Sequence, residues 1–193
     1  MLTNKIQLLA LLLVVLLAST LTVAAGEFPA HSAAFTTPTA ADTVYCNSCV
    51  DCTQKASVPG ARVVLTQNLT YGGQQVCVDV TADDVSFDCD GHEIRLSPDA
   101  GGVRIGYTRR VSRVSVSNCF VAGGLGGVLA LNAEECVLTN NVVRGSDIGL
   151  TLQDSLRCTL RGNKVIHGES GDLFAAFYVN GFRGEKKYFE HDV

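Results

Sequence analysis

Two absences narrow what this 193-residue chain can do. It has no cluster of basic residues, and its 15 Lys and Arg against 19 Asp and Glu leave a net charge of −4. Nucleic-acid partners need a concentrated positive face, so that class is set aside. The same balance argues against holding acidic polysaccharides by charge alone. After Ala25 there is also no apolar run near the ~20 residues that a membrane-spanning helix requires.

The one long apolar run stands at the start. Ile6 to Ala18 is broken only by Gln7, follows Asn4-Lys5, and leads to the small residues Val23-Ala24-Ala25. This is the build of a secretory signal peptide, residues 1–25, cut after Ala25. An uncleaved anchor is the alternative, and Ser19, Thr20 and Thr22 weigh against it by interrupting the run. Cleavage leaves about 170 residues, enough for one domain with its own core. Lys5 is the sole charge removed, so the remainder is one unit more acidic than the whole chain. Residues 26–42 are rich in Ala, Thr and Pro and read as a flexible leader.

From Val76 to about Phe177 one short pattern is written four times: Val85-Ser-Phe-Asp-Cys-Asp90, Val114-Ser-Val-Ser-Asn-Cys119, Cys136-Val-Leu-Thr-Asn-Asn141 and Cys158-Thr-Leu-Arg-Gly-Asn163. The first step between copies is the widest, and the next two are equal. First and third residues are apolar; second and fourth are polar, Val137 excepted. That period of two is a strand with one face in a core and one in water. The sixth residue, Asp90, Cys119, Asn141 or Asn163, reads as a corner, since Asn and Asp tolerate left-handed backbone geometry.

A second segment recurs at its own spacing: Val103-Arg-Ile, Val128-Leu-Ala and Leu150-Thr-Leu, with Leu173-Phe-Ala opening a fifth turn. Each follows glycine or Gly-Asp (Gly101-Gly102, Gly126-Gly127, Gly149, Gly171-Asp172), read as the opposite corner where no Cβ fits. Strand, corner, strand, corner at about 22 residues per circuit is a solenoid. The expected fold is all-β: a right-handed parallel β-helix of about 4–5 coils over residues 76–193, truncated at the C-terminus. Residues 43–75 form a Cys-bearing N-terminal cap over its first coil.

Stacked coils place like positions on one another at ~4.8 Å. The residues before each first position, Asp84, Arg113, Glu135 and Arg157, then form a column of alternating charge.

Eight cysteines in an exported chain point to disulfides. Cys46, Cys49 and Cys52 have iron–sulfur spacing, but Ala56 stands where the fourth ligand belongs. Zinc would need further Cys or His nearby, so the three are expected to tether the cap. Cys77 and Cys89 flank the first coil and are expected to bridge to each other or to the cap. Cys136 and Cys158 occupy equivalent inward positions, and parallel Cβ vectors would hold their Cβ atoms ~4.8 Å apart, beyond the ~3.5–4.5 Å of a disulfide. They are expected as stacked thiols. Asn68-Leu69-Thr70 is a glycosylation sequon.

The first coil, Cys77-Val-Asp-Val-Thr-Ala-Asp-Asp-Val-Ser-Phe-Asp-Cys-Asp-Gly-His-Glu-Ile94, resembles the opening of microbial right-handed β-helix repeat proteins of pectin-lyase-like type. The resemblance covers Val44 to the end, and it implies a parallel β-helix and export to the periplasm, the cell surface or the medium. Such proteins include carbohydrate-active enzymes, domains without known chemistry and a copper-delivery branch. The enzymes' paired Asp residues, or calcium ligands with an Arg or Lys base, are not matched here: Asp147 and Asp154 fall on different segments. Copper calls for clusters of His and Met, whereas Met1 is the one methionine and His31, His92, His167 and His191 are scattered.

Asp88, Asp90, His92 and Glu93 put four titratable groups close together, able in principle to hold calcium or move a proton. The structural reading, in which Asp90-Gly91 makes a corner and Asp88 faces water, outweighs it. The function read from the sequence is a structural, adhesive or carbohydrate-binding β-helix domain, with no cofactor and a polysaccharide or envelope glycan as partner. The alternative is a polysaccharide lyase or epimerase, using calcium, whose active face lies largely outside the chain.

Overall fold

The computed structural model describes residues 42–166 and the backbone of residues 175–180. Strand β1 (Thr43–Cys46) is followed by helix α1 (Cys49–Lys55), whose first turn is capped by the Ser48 hydroxyl accepting from the Asp51 N–H at 3.2 Å. Strands then come in threes. The first set is β2 (Arg62–Leu65), β3 (Leu69–Tyr71) and β4 (Val76–Val80), and the second is β5 (Ser86–Asp88), β6 (Glu93–Leu96) and β7 (Gly101–Ile105). After β8 (Val111–Ser112) come β9 (Ser115–Ser117), β10 (Phe120–Ala122) and β11 (Gly126–Ala130). After β12 (Ala133–Glu134) come β13 (Val137–Thr139), β14 (Val142–Arg144) and β15 (Ile148–Gln153), and then β16 (Thr159–Arg161), β17 (Lys164–Ile166) and β18 (Ala175–Asn180).

First members of the sets pair in parallel in the order β1-β2-β5-β9-β13-β16, second members as β3-β6-β10-β14-β17, and third members as β4-β7-β11-β15-β18. The result is a parallel β-helix of about six turns among the described residues, wound right-handed as parallel crossovers are. Strands β1 to β3 lie within residues 43–75, so the first two sheets already begin inside the segment expected as a cap.

The register matches the repeat. Ser86 pairs with Ser115, Ser115 with Val137, and Val137 with Thr159. Val63, Phe87, Val116, Leu138 and Leu160 consequently form one buried column. Val137 holds an outward position as the period requires, and is exposed despite being apolar. At the fifth turn the register departs from the sequence reading: Phe177 lies beside Leu150, and Leu173 falls outside the described residues.

The corners differ from expectation in two ways. The left-handed residue is the fifth of each copy, Asn118 (φ 54°), Asn140 (φ 54°) and Gly162 (φ 60°), with the corner one place later at Asp90 (φ 49°) in the first copy. In the later copies the sixth residue therefore turns inward. Asn141 and Asn163 are buried and stacked: Asn141 Nδ2 donates to Asn163 Oδ1 at 2.9 Å and to the Val116 carbonyl at 3.0 Å. Asn141 Oδ1 accepts from the Cys119 N–H at 3.1 Å, and Asn163 Nδ2 donates to the Leu138 carbonyl at 2.7 Å. A polar group taken out of water must find such partners, and here the stack supplies them.

Nor do the paired glycines form corners. Gly101, Gly102, Gly126, Gly127 and Gly149 lie within β7, β11 and β15. A Cβ on Gly127 would stand 2.5 Å from the Gly149 carbonyl oxygen and 2.5 Å from Val143 Cγ1, so glycine is required here by close approach. A second set of left-handed corners carries the charge column: Asp84 (φ 61°), Arg113 (φ 54°), Glu135 (φ 56°) and Arg157 (φ 51°). Arg113 grips Asp84 through two hydrogen bonds of 2.5 and 2.8 Å, and Arg157 reaches Glu135 at 3.2 Å.

All eight cysteines are paired: Cys46–Cys52, Cys49–Cys77, Cys89–Cys119 and Cys136–Cys158. Cys77 is bridged to the cap, one of its two expected routes. Cys89 is not; its partner is Cys119, because stacking of adjacent coils sets their Cα atoms 4.7 Å apart. Cys136 and Cys158 are a disulfide and not stacked thiols. Their Cα atoms are 4.4 Å apart, closer than the ideal strand spacing assumed for them and at the short end of the bridgeable range.

The buried asparagine stack yields a test. Replacing Asn141 by Ala strips partners from Cys119 N–H, the Val116 carbonyl and Asn163 together. Unfolding stability should fall by about 3 kcal/mol, read as a lower urea midpoint at unchanged slope. A shift below about 0.5 kcal/mol would show the stack to be energetically idle.

Candidate functional site

The residues singled out from the sequence do not converge. Asp88 Oδ1 accepts from the Asp90 N–H at 2.9 Å and from Asn118 Nδ2 at 2.9 Å, which fixes the corner. Asp90 is exposed in its left-handed turn. His92 Nδ1 lies 3.3 Å from Asn68 Oδ1, which also accepts from the Glu93 N–H at 2.9 Å. The Glu93 carboxylate pairs with Arg95 Nε at 2.9 Å. Most of these contacts hold one coil on the next, and no set of three or more His, Cys, Asp or Glu comes together among the described residues. Asn68 of the sequon is exposed just ahead of β3, where its side-chain oxygen serves as that inter-coil acceptor.

A different site forms on the outer face of the third sheet. Gly101 and Gly126 leave the strand surface low, and Leu129 leans over them: a Cβ on Gly126 would meet Leu129 Cδ2 at 2.9 Å. The resulting groove has a volume of about 400 Å³ and a mainly apolar lining that includes Val76, Leu125 and Ile148. Gln74, Gln75 and Asp99 stand exposed along it.

Arg104 and Tyr107 define one side of the groove. Arg104 binds Asp79 on the neighbouring coil through Nε–Oδ1 at 3.2 Å and Nη2–Oδ2 at 2.7 Å, and both side chains are only 17% exposed. Its guanidinium lies 3.9 Å from the centre of the Tyr107 ring, which is 56% exposed. The cap contributes from below: Thr53 on α1 accepts from the Asp79 N–H at 3.0 Å and donates to the Cys77 carbonyl at 3.3 Å. The sequence reading missed this trio. Its signal was present, since Asp79 and Arg104 fall at equivalent positions of successive turns.

A shallower depression of about 550 Å³ lies on the second sheet between Arg95, Phe120 and Arg144, and takes in Glu93.

The surface carboxylates are held in their charged form by their partners. The backbone N–H of Ser112, then Arg109, keeps Asp83 below the usual carboxylate range, and the hydrogen bond from Arg113 does the same for Asp84. A carboxylate depressed in the folded state adds stability above its unfolded pKa, and that stability is lost as pH falls through the folded value. Stability should therefore hold down to about pH 4 and decline below it, and Asp84→Asn should flatten part of that decline. Urea midpoints measured across the acid range check this; an identical acid slope in the variant would refute it.

No curated protein matches the chain. Among solved structures, an alginate lyase from Paenibacillus sp. str. FPU-7 is similar at 15% identity and a TM-score of 0.45, covering 75% of this chain. This chain spans 58% of that enzyme's length. A family model described as "Periplasmic copper-binding protein (NosD)" matches residues 42–177.

Copper is held by thiolate or thioether sulfur and by imidazole. Among the described residues every cysteine is in a disulfide, no methionine occurs, and His92 is the single histidine, set beside Asn68. That donor set does not fit copper. Complete cysteine pairing does fit an extracytoplasmic location, where disulfides persist. With more than half of its length matched, the chain belongs to the NosD family of periplasmic β-helix proteins.

Proposed function

We propose that this is a carbohydrate-binding β-helix module of the cell envelope, which binds a glycan in the groove of the third sheet. The observation that carries the reading is the exposed Tyr107 ring at the edge of a mainly apolar groove, with amide and carboxylate groups along it. A sugar ring has an apolar face of C–H groups and a rim of hydroxyls. An aromatic ring accepts the first, and Gln74, Gln75 and Asp99 accept from or donate to the second. The volume suits one or two sugar rings, as ligand sites run from about 300 Å³ upward.

In this reading the groove binds and does not cut. Proton transfer needs an acid or base within reach of the substrate; in the groove that leaves Asp99 and Tyr107, which this reading assigns to binding and the uronate assay below checks. Asp88, Asp90, His92 and Glu93 lie at the corner between β5 and β6 and at the start of β6, away from the third sheet, and their contacts are those of a structural corner. Glycan arrays test the proposal. The protein should retain a defined set of glycans, and Tyr107→Ala should weaken that binding by about tenfold or more with an unchanged circular-dichroism spectrum. A silent array would overturn the reading, and a rise in ultraviolet absorbance on uronate polymers would replace it with an eliminating enzyme.

A further inference from the structure

The groove carries an arginine, and an arginine in a sugar site ordinarily recruits a carboxylate. Its planar fork matches a carboxylate with two parallel hydrogen bonds. Here one edge of that fork is taken and its charge is balanced. Nε and Nη2 of Arg104 are committed to Oδ1 and Oδ2 of Asp79, and the Tyr107 ring lies against the guanidinium at 3.9 Å. Both partners are largely withdrawn from water, and Asp79 is further pinned through its N–H to Thr53 of the cap helix. Displacing Asp79 with a ligand carboxylate would strand one charge out of water without a partner, which is costly.

The remaining charge points the same way. With Arg104 neutralised, Asp99 is the exposed ionised group among the groove's lining residues, and it repels an anion. The other exposed polar groups, Gln74 and Gln75, are uncharged donors and acceptors suited to hydroxyls.

We propose that the groove selects uncharged sugars over uronates, and that Asp79 is the residue that sets this selection by occupying Arg104. The inference rests on the glycan-binding reading above and narrows it to a substrate class. Asp79 acts as a positioning and charge-balancing residue; it need not touch the sugar. Removing its charge while keeping its shape should leave the Arg104 charge unbalanced beside the groove and turn the preference toward anionic sugars.

The test is isothermal titration of the full chain with two panels: neutral hexasaccharides of glucose, mannose and galactose, and oligouronates of equal length. The wild-type protein should bind at least one neutral sugar about tenfold more tightly than any uronate. Asp79→Asn should shift the uronate-to-neutral affinity ratio by about tenfold or more toward the uronate, with circular dichroism unchanged. Salt provides a second readout that needs no variant, should Asp79→Asn fail to fold. Residual uronate affinity should hold or rise between about 0.05 and about 0.5 M salt as the repulsion from Asp99 is screened, whereas binding driven by a bare arginine weakens over that range. Uronates preferred by the wild type, an unchanged ratio in a folded Asp79→Asn, or uronate binding that weakens strongly with salt would overturn the selection while leaving the glycan-binding reading in place. Binding to neither panel would overturn both.

Discussion

A β-helix coil cannot close its own hydrogen bonds. Each strand's N–H and C=O groups point along the axis toward the next coil, so a turn is satisfied only when its neighbours hold the same register. That requirement governs the chain. The recurrence of the motif keeps inward positions over inward positions, so that Phe87, Val116, Leu138 and Leu160 fall in one column. A slip of one residue would send an entire column into water and bring Ser and Thr inside.

The corners show how the register is enforced. Left-handed residues turn the chain sharply, and in the later copies the side chain that follows enters the stack. Asn141 bonds to the coils on either side at once, Asn163 bonds to the coil before, and Cys119 is joined covalently to the coil before. The charge column adds contacts in water, each of which contributes little. The disulfides tie the cap to itself and to the first turn, and later coils to one another. They constrain the unfolded chain as well as the folded one.

The outer faces are less constrained, and the proposed glycan site lies on one of them. Glycines admitted into β7 and β11 by close packing lower the surface of the third sheet, and the same stacking sets Asp79 beside Arg104. The groove is thus a by-product of the stacking rule, made specific by the few outward residues that vary from turn to turn. The family's copper name finds no matching donors among the described residues, whereas the sheet surface offers a shaped, mixed apolar and polar site.

The coil pattern was legible in the sequence because a strand's alternation and a solenoid's period are both local or regular. Disulfide bonding was legible from composition, and the alternating column from Asp84 to Arg157 from its place in the repeat. The first turn was hidden, since Arg62–Leu65 stacks directly on the strand at Ser86 yet shares little of the later motif. Which asparagine turns the corner and which enters the core depends on one backbone dihedral. Whether Cys136 meets Cys158 depends on a small difference in the spacing between coils. The groove sets Arg104 and Tyr107 beside Asp79 of the turn before, and its floor exists because Gly101 and Gly126 carry no side chain where Val76 and Leu129 crowd in. Regular repetition along the chain is therefore enough to specify the tube, while contacts between one turn and the next are needed to specify its surface.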